Sequence, residues 1–158
     1  MTVTRLRPAL AAPDIDAATA AVRAHGMRVT ESRLRVIEAL FSAEGAVTAA
    51  EIADGLDGAR PPVDRASVYD NLEALEAVGL VRHVHLGHGP GLYVLADRVA
   101  GEYLHCDRCG THQAVRSSVL SEARAAIESA TGWTASFAHF PVVGTCPGCS
   151  DPRRANGL

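Results

Sequence analysis

The chain has no lysine: all 15 of its Lys and Arg residues are arginine. Aromatic residues make up only 4%, so Ala, Val and Leu must fill whatever cores it has. No apolar run approaches the roughly 18 residues that a membrane-spanning helix needs. No basic start followed by an apolar stretch marks a secretory signal, and the expected location is the cytoplasm. The absence of lysine looks like a bias of the whole composition and carries no functional weight. The net charge of −3 excludes a sequence-blind nucleic-acid coat, which would be basic overall. It leaves room for a sequence reader with a small basic face.

What is present describes a globular chain, 47% hydrophobic over 158 residues. That length suits one ordinary domain or two small ones, and small domains with thin cores call for a metal or a partner. Residues 1–13, with Pro8 and Pro13, read as a flexible arm. A helix over 14–25 is stopped by Gly26. Thr30 then caps a second helix bearing Leu34, Val36, Ile37, Leu40 and Phe41 at helical spacing. Thr48-Ala49-Ala50-Glu51 has the form of a capping box, and the helix it opens carries Ile52 and Leu56 on one face. Asp64 caps a fourth helix over 65–77, with Val68, Leu72, Leu75 and Val78 along it and Gly79 past its end. Strands over 81–86 and 92–95, joined through Gly87, Gly89, Pro90 and Gly91, make a hairpin. The expected class is α+β: a winged helix-turn-helix domain over 14–97, with the 65–77 helix in the reading position and the hairpin as wing. Residues 98–150 are expected to form a second, small α/β domain. Its elements are a strand into Cys106, a strand over 112–115, a helix over 119–130 and a strand over 134–143. Residues 151–158 are a tail.

The four cysteines fall into two pairs, Cys106-x-x-Cys109 and Cys146-x-x-Cys149, separated by 36 residues. Without a secretory context this pattern reads as metal before disulfide. Four thiolates so spaced can close a tetrahedral zinc site, one zinc per chain, with Gly110 and Gly148 giving the backbone room for tight knuckles. Such a closed site leaves no position for water, so it is structural and the chain is not expected to be an enzyme. Two alternatives stay open. A thiol redox protein would place one CxxC at the start of a helix after a strand. A zinc-ribbon interaction module would not need the winged helix.

In the 65–77 helix, Arg65, Ser67, Tyr69 and Asn71 offer contacts to phosphate and base edges near a helix N-terminus. Arg28, Arg33 and Arg35 stand where they could clamp phosphates. The same pattern also suits an ordinary amphipathic helix with a solvated polar face.

These residues, taken in order, carry a resemblance. Gly26-Met27-Arg28-Val29-Thr30-x-x-Arg33 is followed by Thr48-Ala49-Ala50-Glu51-Ile52 and then Ser67-Val68-Tyr69-x-x-Leu72-x-x-Leu75. Gly79-Leu80-Val81, the first CxxCG and Gly144-x-Cys146-x-x-Cys149 complete the set, which over about residues 15–150 resembles the ferric uptake regulator (Fur) family. The resemblance implies a homodimeric repressor that binds a palindromic double-stranded DNA operator, usually when loaded with metal. It implies that Tyr69 reads bases, that Arg65 and Ser67 lie near the operator, and that the four cysteines hold structural zinc.

The chain departs from that pattern where the family senses metal. The four ligand positions of its interdomain site fall on Ala46, Val94, Gly101 and Tyr103, none of them a usual ligand. Two replacements for a regulatory transition metal of unknown identity are open. Glu102, Glu122 and His139, with His105 as a possible fourth, fall at or near ligand positions of a second site of the family inside the C-terminal domain, where one remaining position is Ala100. They could equally be ordinary surface-helix and strand residues. His83, His85 and His88 crowd the wing; they can serve as polar wing residues or, together, bind a transition metal. His25 and His112 read as surface residues.

Overall fold

The computed structural model describes residues 8–85, 89–98 and 101–150. The chain divides into two compact units, one of Met1–His83 with Gly91–Val99 and the other of Val84–Pro90 with Ala100–Leu158.

In the first unit each helix starts where a side chain satisfies a free backbone N–H. The Asp14 carboxylate accepts from Ala17 N at 2.8 Å and opens α1, Ile15–Ala24. Thr30 accepts from Arg33 N and opens α2, Glu31–Ser42. After the short strand β1, Val47–Thr48, the reciprocal bonds of Thr48 and Glu51 open α3, Ala49–Ala53. Asp64 accepts from Ser67 N at 3.0 Å and opens α4, Arg65–Ala77. Strands β2, Val81–Val84, and β3, Leu92–Leu95, follow, and β3 lies between β1 and β2 in a three-stranded sheet. Both α2 and α3 pack on α4. Val36, Ile37, Ile52, Val68, Leu72, Leu75, Leu80 and Leu95 form a closed core beneath them. This is a winged helix-turn-helix, with α4 in the reading position.

Two local features differ from the sequence expectation. The third helix stops at Ala53 instead of carrying Leu56 on its face. Gly55, Leu56, Asp57 and Gly58 run at φ of 79, 53, 58 and 82°, a left-handed turn. Its geometry is fixed at Gly55, whose carbonyl accepts from Arg60 N at 2.9 Å. A Cβ at Gly55 would stand 2.1 Å from the Arg60 carbonyl oxygen. Leu56 nonetheless packs against the core. The arm is also not loose throughout. Leu10 N donates to the Gly79 carbonyl at 2.9 Å, Ala12 N donates to the Asp97 carboxylate at 3.1 Å, and Ala12 is buried.

In the second unit β4, Glu102–Cys106, is the central strand. It pairs antiparallel with β5, His112–Val115, and parallel with β6, Val142–Gly144. A 3-10 turn at Ser117–Leu120 leads into α5, Ser121–Thr131, which Gly132 ends at φ 72°. A short helix, α6, spans Pro147–Ser150. The strand expected over 134–143 is reduced to β6; Pro141, just before it, has no N–H to give a ladder. Among the described residues of this unit only Val84, Glu102 and Cys106 are buried, so it has almost no apolar core of its own. No helix among the described residues is long and apolar enough to cross a membrane.

Candidate reading helix and metal centres

The four cysteines come together at one end of the second unit. Cys106 closes β4, and Gly110, at φ 73°, returns its N–H to the Cys106 carbonyl at 3.0 Å. The pairing of Cys106 with Gly144 carries the second knuckle alongside the first. There Cys149 N and Ser150 N both donate to the Cys146 carbonyl, at 3.0 and 2.9 Å. The four sulfurs lie within 4.8 Å of one another, with Cys109 and Cys146 Sγ 3.7 Å apart. Metal–sulfur bonds of about 2.3 Å in a tetrahedron put sulfurs about 3.8 Å apart, so this donor set fits a tetrahedral, thiolate-loving cation.

The thiol acidities agree with that fit. Backbone N–H groups, first of Cys146 and then of Cys109, pull the Cys106 thiol down to about 6. Hydrogen bonding to the Cys146 and Cys109 side chains pushes Cys149 up to about 12. Four sulfurs this close cannot all ionise on their own; a divalent cation among them lets each lose its proton.

On α4, Arg65 and Tyr69 are exposed and Ser67 is half-buried; Tyr69 is 50% exposed, whereas the other large apolar residues Val68, Leu72 and Leu75 are buried. Arg28 is exposed as well. Asn71 is not on this face. It is 6% exposed, donates to Ser32 Oγ and to the Ser67 carbonyl, both at 2.7 Å, and accepts from Arg33 Nε at 2.9 Å. Arg33 also donates to the Arg28 carbonyl, so its guanidinium is engaged inside the unit. Asn71 therefore fastens α4 to α2 and is turned away from the exposed face. The reason is periodic: Val68, Asn71, Leu72 and Leu75 share the inward stripe of the helix.

The histidines regroup. His85 N donates to the His139 carbonyl at 3.2 Å, and the two rings stand 5.4 Å apart with Phe140 against both. Ring nitrogens of His85 and His139 lie within 4.8 Å of each other. His83 lies on β2. Its ring stacks on Tyr93, centroids 4.5 Å apart and planes 5° from parallel. His88 lies outside the described residues.

His139 is thus a neighbour of His85, and the carboxylate set does not assemble around it. The Glu102 carboxylate is buried and receives two bonds of 2.8 Å from Arg124, which also donates to the Ser117 carbonyl and lies over the Phe137 ring. A guanidinium fills the place a cation would take on Glu102. Glu122 is exposed in the first turn of α5, where its charge suits the helix N-terminus. His105 alternates with Glu102 along β4 and faces the other side of the sheet. Arg124 and Phe137 were not legible as partners of Glu102; the available signal was a single arginine on an otherwise small-residue stretch of α5.

Residues 24–140 match the Ferric uptake regulator family. The chain belongs to that family. The peroxide operon regulator of Bacillus subtilis (strain 168) is 27% identical over 143 residues, covering 89% of this chain and 97% of that protein. The Fur structure of Pseudomonas aeruginosa with manganese superposes with a TM-score of 0.63 at 25% identity, covering 81% of this chain and 96% of that one. The Helicobacter pylori Fur structure, at 14% identity, shares the fold with a TM-score of 0.64 over 96% of this chain and 99% of that one. As a Fur-family member the chain is a DNA-binding, metal-binding transcriptional regulator and not an enzyme.

Two of the positions that the resemblance sets against sensing ligands are Val94 and Gly101. Val94 is buried on β3. Gly101 stands at φ 144°, and a Cβ there would lie 1.9 Å from the Val115 carbonyl oxygen, so this backbone admits no side chain at that position.

Proposed function

We propose that the protein is a homodimeric repressor that reads a palindromic operator in the cytoplasm and is gated by a transition metal held on imidazoles. His85 and His139 are the proposed ligands, in place of the family's usual sensing set. The observation that carries this reading is the pairing of His85 with His139, ring nitrogens within 4.8 Å, in a chain whose aligned sensing positions offer no usual ligand. Imidazole donors suit zinc, iron, nickel or copper, and ligand type alone selects none.

Cys106, Cys109, Cys146 and Cys149 hold one structural zinc in this reading. The winged-helix domain over 14–97 contacts DNA through Arg28, Arg65, Ser67 and Tyr69, and residues 98–150 form the dimerisation domain. Support for the dimer comes from the second unit itself. It buries almost nothing apolar, yet exposes Val119, Trp133, Phe140 and Val143, with Trp133 77% exposed. A second copy laid on that surface supplies the core that one chain lacks.

The test is a titration of zinc-loaded protein against labelled operator and random DNA, with Mn²⁺, Fe²⁺, Co²⁺, Ni²⁺ or extra Zn²⁺ added singly. One metal is expected to tighten operator binding by about 5- to 150-fold. His139→Ala is expected to abolish the response while the structural zinc stays in place. An operator affinity that no metal changes overturns the gate; equal affinity for both DNAs overturns the reading role.

A further inference from the structure

The exposed face of α4 carries more than Arg65, Ser67 and Tyr69. Val68, Asn71, Leu72 and Leu75 take the buried stripe, and Arg65, Ala66, Tyr69, Asp70 and Glu73 face outward. At helical spacing these form two adjoining rows, Arg65 with Tyr69 and Ala66 with Asp70. A helical side chain covers the turn on the N-terminal side of its own Cα. The Asp70 carboxylate therefore lies over the Ala66 methyl, in the first turn, where a reading helix meets base edges. The small side chain of Ala66 leaves that approach open.

Other carboxylates around the helix are occupied. Asp64 caps α4 through Ser67 N, Glu31 is paired with Arg35, and Glu38 with Arg60. Burial first, then the charges of Tyr69, Glu76 and Glu73, push the Tyr93 phenol above its ordinary range, so both glutamates lie toward β3. Among the described residues no group hydrogen-bonds or pairs with the Asp70 carboxylate, which stands in solvent on the other flank of Tyr69.

The sign of this charge decides what it can meet. Arg65 is the only basic residue of α4, against Asp70, Glu73 and Glu76. Phosphate repels a carboxylate, so Asp70 adds nothing to sequence-blind binding. In the major groove guanine offers two acceptors, thymine an acceptor and a methyl, and adenine a donor beside an acceptor. Each of those edges sets a lone pair against a carboxylate. Cytosine presents an amino donor, N4, with no acceptor on its own edge.

We propose that Asp70 is a specificity-determining residue that accepts a hydrogen bond from the N4 amino group of one cytosine in each operator half-site. The inference rests on the reading role proposed for α4 and names one base which that role selects. A carboxylate desolvated against the wrong base edge is left unpaired, so Asp70 discriminates by penalty as well as by attraction.

The experiment selects bound sequences from a pool of random duplex DNA. Full-length zinc-loaded protein is used, with no further metal and with Mn²⁺, Fe²⁺, Co²⁺, Ni²⁺ or extra Zn²⁺ added singly. Wild type, Tyr69→Ala, Asp70→Ala and Asp70→Asn are compared; the exposed position keeps both Asp70 variants folded, which urea melting verifies. The wild-type consensus should hold a cytosine at one position per half-site. Replacing that C·G pair with T·A should weaken wild-type binding about 5- to 150-fold. Asp70→Ala should lose the preference at that position alone, with the same replacement changing affinity by no more than about twofold. It should also bind random DNA at least as tightly as the wild type, because a charge that repels phosphate is gone. Asp70→Asn should move the preference from cytosine to adenine, whose N6 and N7 suit an amide. Asp70 variants that select the wild-type consensus, while Tyr69→Ala changes it, overturn the inference and leave the reading role of α4 standing. A wild-type preference for another base at the position that Asp70→Ala relaxes overturns it equally. A wild-type pool with no consensus, or a consensus that none of the three variants changes, overturns the reading role and this inference with it.

Discussion

Tyr69 and Asn71 stand two residues apart on α4 and do opposite work. Tyr69 projects from the helix with half of its side chain in solvent, whereas Asn71 is buried and makes three hydrogen bonds within the unit. Tyr69→Ala should therefore lower operator affinity by about 1–3 kcal/mol and leave binding to random DNA nearly unchanged. Competition titrations on both DNAs measure this. Asn71→Ala should act on the fold instead. It leaves Ser32 Oγ and Arg33 Nε without their partner, at a cost of about 1–3 kcal/mol in urea unfolding. A stable Asn71→Ala protein with selectively weakened operator binding would return Asn71 to the reading face. The residue type of Asn71 suggested DNA, but its position in the 68-71-72-75 stripe marked it as inward; spacing was the better guide. The same holds for Glu102, whose acidic side chain suggests a metal ligand until the arginine on α5 is placed beside it. That pairing joins residues 22 apart, and nothing local in the chain announces it.

At the scale of elements, the capped helices were legible because each cap is a local bargain between a side chain and a backbone N–H a few residues on. Thr30, Thr48 and Asp64 all cap as their spacing requires. The left-handed turn at 55–58 was not legible, since Leu56 is a poor left-handed residue and the tertiary setting holds it there. Two glycine substitutions separate the local from the tertiary contribution. Gly26→Ala, at φ 77° with nothing within 4 Å of a new Cβ, should cost about 1 kcal/mol of backbone strain. Gly55→Ala adds a collision with the Arg60 carbonyl and should cost clearly more, read by thermal or urea melting of the two variants side by side. In the second unit, Arg124 clamps α5 to β4. Arg124→Met should destabilise this unit by about 2–3 kcal/mol, toward the lower end for a buried pair because the guanidinium is 25% exposed. Adding Glu102→Gln to that variant should recover part of the loss. A double variant no more stable than Arg124→Met would show that the pair is not the clamp.

For the whole molecule, the two units depend on different sources of stability. The first has a closed apolar core. The second has three buried residues among those described, one of them Cys106, and on the proposed reading its order rests on the cysteine cluster, on the Arg124 clamp and on a second copy. Chelation of the structural metal, or Cys106→Ser, should therefore abolish the tertiary signal of Trp133 and the dimer together, while most helical signal from α1, α2 and α4 persists. Retention of the dimer after complete metal removal would contradict this division. The fold class and the four cysteines were open to reading because motif spacing encodes them. The regulatory ligands were harder to group, since His139 meets His85 only through tertiary packing and the family positions pointed elsewhere. Their assignment is the central claim, and it is tested most directly by counting metal. Full-length protein equilibrated with the metal that tightens operator binding, then freed of excess, should carry the cysteine-bound zinc and one further metal per chain by elemental analysis. His85→Ala/His139→Ala should carry the zinc alone. A double variant that still carries the second metal at the wild-type level would contradict the account.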